Sequence, residues 1–124
     1  MSSSYTLDKN GIYRPKIKVS HRDQEYDQDG FNILFNMQEN HFWYRGRHRF
    51  LLSALNRYMR SKKEKMSAID LGGGVGGWVR YLADYRPDLF QTVALADSSE
   101  TALTMAKSVL PSNSDRYQVD VMNL

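Results

Sequence analysis

Three short apolar runs divide the second half of the chain, at roughly 67–71, 92–97 and 116–121. The second, Thr92-Val93-Ala94-Leu95-Ala96-Asp97, is apolar and partly β-branched and ends in an acid, as a buried parallel strand does. Between the runs lie amphipathic segments, Trp78-Val79-Arg80-Tyr81-Leu82 and Ser98–Lys107, the latter opening on serines with an early acid, Glu100, as a capped helix does. Strand, helix, strand, helix, strand predicts an α/β unit with a parallel sheet. Upstream, residues 31–38 predict a short amphipathic helix. Residues 41–61 carry the longest helical pattern, with Phe42, Leu51, Leu52, Leu55, Tyr58 and Met59 on one stripe and arginines outside it. Residues 1–22 show no clear period; the alternation Lys16-Ile17-Lys18-Val19 suggests an extended arm. Residues 23–30 are acidic and polar, a loop or helix entry, and 61–67 a linker. The expected division is an arm and helical cap over 1–65 and a second unit over 66–124.

The junction after the first run is the most informative stretch. Five glycines fall in six positions, at 72, 73, 74, 76 and 77, directly after Asp70-Leu71. Glycine lets the backbone take φ > 0 and approach a ligand closely. A ligand is therefore expected against this backbone, at the carboxyl end of a strand, where open α/β sheets bind. A phosphate-cradling P-loop requires Gly-Lys-Ser/Thr, and Trp78 follows Gly77. The dinucleotide pattern G-x-G-x-x-G is present at Gly72, Gly74 and Gly77, with Asp97 at about the right distance for a ribose acid. The pattern D-x-G-x-G-x-G is also present, at Asp70, Gly72, Gly74 and Gly76. A carboxylate at Asp70 repels a pyrophosphate and attracts a sulfonium or ammonium group. Its alternative role is to order the loop through backbone N–H groups.

The pattern at Asp70–Gly76 resembles motif I of the class I S-adenosylmethionine (SAM) dependent methyltransferases. That resemblance implies a Rossmann-like α/β fold. An N-terminal helical cap is followed by the first three strands of a mainly parallel sheet. It implies SAM as cofactor, with Asp70, Gly72, Gly73, Gly74 and Gly76 by its amino-acid moiety. Asp97 would accept the ribose hydroxyls with Ser98 beside it; the alternative is a helix cap at Asp97. The segment Arg116–Leu124 resembles the family's third strand and the acidic turn after it. There Asp120 would meet the adenine amine and the Val121 backbone a ring nitrogen; the alternative is an exposed loop carboxylate. The phrase His41-Phe42-Trp43-Tyr44-Arg45-Gly46-Arg47-His48 resembles a segment of the N-terminal cap in small bacterial methyltransferases. One of its aromatics or arginines is expected to line the pocket, although aromatics at helical spacing usually pack. His41 and His48 could act as bases or pair with carboxylates.

The full family fold has seven strands in the order 3-2-1-4-5-7-6, and this chain supplies three. Its first strand is expected to present an apolar edge, a liability for pairing. The expectation is a truncated product, or a domain completed by a homo-oligomer or partner chain. The family's acceptor site lies mostly in the later half, so no catalytic base is assigned.

Bulk properties narrow this further. At 124 residues, with 41% hydrophobic and 12% aromatic residues, the chain suits one globular domain. It has no run of 18 apolar residues and no apolar signal core, so no membrane is expected. It has no cysteine, hence no disulfide and no thiolate metal site; no histidine pair has metal-site spacing, and no metal is expected. A cytoplasmic location is the expectation. The net charge of +3 is uneven: residues 41–65 hold eight bases and one acid, and 66–124 four bases and seven acids. The basic stretch reads as a solvated helix face rather than a nucleic-acid site, since no recognised binding motif accompanies it. The leading expectation is a methyltransferase acting on a small-molecule or saccharide-like acceptor. The alternatives are a non-catalytic SAM-binding or degenerate module, and a nicotinamide-dependent oxidoreductase using Gly72, Gly74 and Gly77.

Overall fold

The computed structural model describes residues 4–21, 27 and 29–123. In chain order the elements are β1 (Tyr5–Leu7), β2 (Ile12–Pro15), α1 (Gly30–Met37), α2 (Phe42–Met59), β3 (Ala68–Leu71), α3 (Gly77–Tyr85), β4 (Val93–Asp97), α4 (Glu100–Ala106) and β5 (Arg116–Gln118). A 3₁₀ turn covers Val121–Asn123. The strands form one sheet in the order β1-β2-β5-β4-β3. All neighbours are parallel except the β1–β2 hairpin. The units β3-α3-β4 and β4-α4-β5 step in the same direction, and right-handed crossovers put both helices on one face. Leu95, Val79, Leu103 and Ala106 are fully buried between that face and its helices. A second cluster, Phe31, Val75 and Ala102, seats α1 against the glycine loop and α4.

Residues 4–19 differ from the sequence expectation. The extended segment is the hairpin at 5–7 and 12–15, and Lys16–Val19 lie outside any strand. Strands of three and four residues are too short to display a period. Their turn is local chemistry: the Asp8 carboxylate accepts from the Asn10 and Ile12 amides at 2.8 and 3.0 Å, and Gly11 takes φ +76°. Those bonds, with the Arg14 side chain, hold the Asp8 carboxyl below its ordinary pKa. Arg116, 6% exposed, ties the turn to the body. Its guanidinium donates to the Leu103 carbonyl at 2.7 Å and the Asn10 carbonyl at 2.8 Å. The hairpin thus belongs to the same sheet as residues 68–118.

The opposite sheet face is barer. Residues alternate sides along a strand, so Tyr13, Tyr117, Ala94, Ile69 and Leu71 share the side away from Leu95 and Arg116. The Tyr13 and Tyr117 rings stack at 4.8 Å. Ile69 and Leu71 remain 39% and 49% exposed. Among the described residues, no strand pairs with the outer side of β3.

The third strand is shorter than expected. It ends at Gln118, although the Val119 amide still bonds the Asp97 carbonyl at 3.0 Å. The Asp120 carboxylate then accepts from the Met122 amide at 3.1 Å and turns the chain into the 3₁₀ helix. On α2 the expected stripe divides. Leu51, Leu52, Leu55 and Met59 are half-buried, whereas Phe42 and Tyr58 are 79% and 61% exposed. Among the described residues, no helix is long and apolar enough to cross a membrane.

Candidate functional site

At the carboxyl ends of β3 and β4 a cleft of ≈ 440 Å³ opens, floored by Asp70, Leu71, Gly72, Gly73, Gly74 and Asp97. Phe31, Leu34 and Gln38 bound it from α1, Trp78 from α3, and Tyr44, Arg47, His48 and Leu51 from α2. Backbone amides of the loop hold it in this position. The Gly72 and Gly73 amides both donate to the Ala96 carbonyl, at 2.8 and 3.2 Å. The Gly74 amide donates to Asp97 Oδ2 at 2.8 Å. Gly74 makes this turn at φ +58°, a conformation open to few residues other than glycine. At Gly73 the reason is space: a Cβ there would overlap the Asp70 carboxylate.

Asp97 is 7% exposed. Its other oxygen accepts from the Ser99 amide at 2.9 Å, while the Ser99 hydroxyl caps α4 by accepting from Ala102 at 3.2 Å. The cap expected near Ser98 is therefore Ser99, and Asp97 orders both the glycine loop and the helix entry. Each Asp97 oxygen keeps a lone pair beyond these bonds.

Asp70 differs. Among the described residues no hydrogen bond holds its side chain, so the loop-ordering role considered for it falls to Asp97. Burial pushes the Asp70 carboxyl above its ordinary range; Arg47 opposes this and the nearby Asp97 charge adds to it. A desolvated carboxylate beside a second acid favours a cationic ligand. His48 is the most deeply buried residue of α2, 4% exposed, with Trp78 and Tyr81 rings at 5.6 and 5.1 Å. Burial, and then the Arg47 charge, hold its imidazole below the usual histidine pKa.

Of the residues expected from the sequence, Asp70, Gly72, Gly73, Gly74 and Asp97 come together in this cleft. Gly76, Ser98, Asp120 and Val121 do not line it. Gly76, at φ +85°, caps α3 and backs onto Leu110 and Ala106. Ser98 borders a second groove with Lys18–His21, Thr101 and Gln118. Asp120 is half-buried and Val121 is 39% exposed. Gly77, the third glycine of the dinucleotide pattern, is where Gln38 packs: a Cβ would overlap that side chain. From the cap segment, Tyr44 and Arg47 line the cleft. Phe31, Leu34 and Trp78 were not foreseen as cleft residues; their only signal was position on amphipathic helices. No cluster of three metal-binding side chains occurs among the described residues.

A parallel β3-β4-β5 core, a glycine loop after β3 and an acid at the end of β4 define the class. The fold is that of the N-terminal, cofactor-side portion of the class I methyltransferases. No family model matches the sequence, and no curated protein matches it. Among solved structures, the chain is similar to the plantazolicin methyltransferase BpumL in complexes with desmethylPZN analogues and SAH. The TM-scores are 0.56 and 0.54 at 23% and 25% identity, over 82% of this chain and 37% of that one. It is similar to the PH0226 protein of Pyrococcus horikoshii OT3, with TM-score 0.59 and 26% identity over 80% of this chain and 42% of that one. It is also similar to the sugar N-methyltransferase KedS8 of Streptoalloteichus sp. ATCC 53650, with TM-score 0.52 and 17% identity over 72% and 32%. The chain thus spans about two fifths or less of the length of these proteins.

Proposed function

We propose that this chain holds SAM as the donor for a methyltransferase acting on a small-molecule or saccharide-like acceptor. The observation that carries the reading is the pair of acids flanking the glycine loop, one engaged and one not. Asp97 is fixed by two backbone amides with acceptor capacity to spare, while Asp70 is desolvated and without a hydrogen-bond partner among the described residues. The cleft volume, its apolar walls and this charge arrangement fit an adenosyl sulfonium amino acid.

In this reading Asp97 accepts ribose hydroxyls, and Asp70 attracts the cationic end against Gly72, Gly73 and Gly74. Arg47 is placed to meet the carboxylate of the same ligand. Gly76 shapes the loop from behind, and Ser98, Asp120 and Val121 border the adenine side. Bound SAM supplies an electrophilic methyl group, and its transfer is a displacement governed by positioning and desolvation. Residues 1–65 serve as arm and cap and 66–124 as the donor half; no residue of this chain is assigned as base. The acceptor class is supported by the similarity to KedS8, a sugar N-methyltransferase. With no cysteine in the sequence, a cytoplasmic setting suits it. A second reading, a non-catalytic module completed by another copy or chain, is favoured by the open β3 edge with Ile69 and Leu71 exposed.

Calorimetric titration with SAM and S-adenosylhomocysteine (SAH) tests the donor site. Saturable one-to-one binding is expected, weakened at least about tenfold in Asp97→Asn. A folded chain that takes up neither ligand contradicts it.

A further inference from the structure

The N-terminal arm does more than end the sheet. After β2 it runs back across the carboxyl ends of β5 and β4. The Gln118 amide group donates to the Val19 carbonyl at 3.4 Å and to the Ser98 carbonyl at 3.0 Å, joining arm and strand end. Two residues further on, His21 Nδ1 lies 3.0 Å from the Ser98 hydroxyl. The same ring meets Phe31 edge-on, centroids 5.9 Å apart at 61°. Phe31 is 2% exposed and forms a wall of the donor cleft. Ser98 directly follows Asp97, whose two oxygens accept from the Gly74 and Ser99 amides. One imidazole therefore touches both the cleft wall and the residue that sets the backbone beyond Asp97.

We propose that His21 is a positioning residue for the nucleoside side of the donor site, fixing Ser98 and Phe31 around Asp97. The inference rests on the SAM-binding reading above. Its starting point is firmly built: Arg14 bonds Asp8, Gln118 at 2.8 Å and Glu100 at 2.8 Å, so the arm departs from a fastened strand. An asparagine side chain can place a polar atom near the imidazole Nδ1 position, whereas alanine cannot, so the two substitutions separate the hydrogen bond from the rest.

The test is calorimetry of the full chain with SAH and with 5′-methylthioadenosine, which lacks the amino-acid end. The variants are His21→Ala, His21→Asn, Ser98→Ala and the double alanine variant, with thermal unfolding checking that each is folded. His21→Ala is expected to weaken both ligands alike, by about fivefold to tenfold, the worth of one hydrogen bond and a packing contact. His21→Asn should recover most of that loss, and Ser98→Ala should add little to His21→Ala. A lowered unfolding temperature with both affinities within about twofold of wild type would show a merely structural role and overturn the inference. A loss confined to SAH would overturn it as well, because the effect would then lie on the amino-acid side. If folded wild-type protein binds neither ligand, the SAM reading falls and this inference with it.

Discussion

The two edges of the sheet are built differently. At one, the β1–β2 hairpin is fastened by Arg116 to the Leu103 and Asn10 carbonyls, by Arg14 to Gln118 and Glu100, and by stacked tyrosines. At the other, β3 presents Ile69 and Leu71 to solvent. The proposed donor site lies between them, on a loop whose amides bond the Ala96 carbonyl and the Asp97 carboxylate. What this teaches is that the cleft is framed by the carboxyl ends of two parallel strands and by residues of α1, α2 and α3, independently of how the far edge is fastened. Leu71 of the open strand forms part of its floor, whereas Ile69 and the hairpin do not line it.

Substitutions can break that comparison, and the largest effect belongs in the covered core. Leu95→Ala, at a fully buried position, should cost about 2–5 kcal/mol in urea unfolding, while Ile69→Ala should stay near 0.5 kcal/mol. Equal costs would mean that the β3 edge is covered in solution. Next is Arg116→Met, which leaves the Leu103 and Asn10 carbonyls without their donor; a loss of about 1–3 kcal/mol is expected. A neutral outcome would show that the hairpin is not fastened through this residue.

Asp70→Asn sharpens the functional side. It removes a desolvated charge, so the ligand-free chain should melt at a higher temperature. The variant should also bind SAM about tenfold more weakly, with a smaller loss for SAH, which has no sulfonium. Equal losses would place Asp70 away from the sulfonium.

The smallest effect is a pH slope. His48 has a folded pKa below its ordinary 6.5. The unfolded chain therefore takes up protons first, and His48-linked stability is complete above that value. It is lost as pH falls through 6.5 toward the folded value. Asp70, with a raised pKa, has the opposite sign: the folded chain takes up the proton first, so acid favours the fold there. Urea midpoints at about pH 7.5 and 5.5 should therefore differ less in His48→Gln than in wild type; an unchanged difference would assign the slope elsewhere.

Much of this was legible in the sequence. Five glycines after Asp70 can hardly be explained by an ordinary turn, and an apolar run ending in Asp97 marks a strand tip. Those two features locate the floor of the cleft. The hairpin escaped because its strands are three and four residues long and its turn rests on Asp8 side-chain bonds. Gly76 and Gly77 share a motif with Gly72–Gly74 but face α4 and Gln38 instead of the cleft, a division that only tertiary packing makes. The half-buried stripe of α2 was readable; its exposed members Phe42 and Tyr58 were not, since periodicity does not show which neighbours a helix face meets.

The most direct measurement of the donor site is a ¹⁵N–¹H correlation spectrum of the chain titrated with SAH. The prediction is that the amides of Gly72, Gly73, Gly74 and Asp97 shift together and saturate with one dissociation constant, while Ile69 and the hairpin stay in place. Shifts confined to the β3 edge, or none in a folded chain, would contradict it.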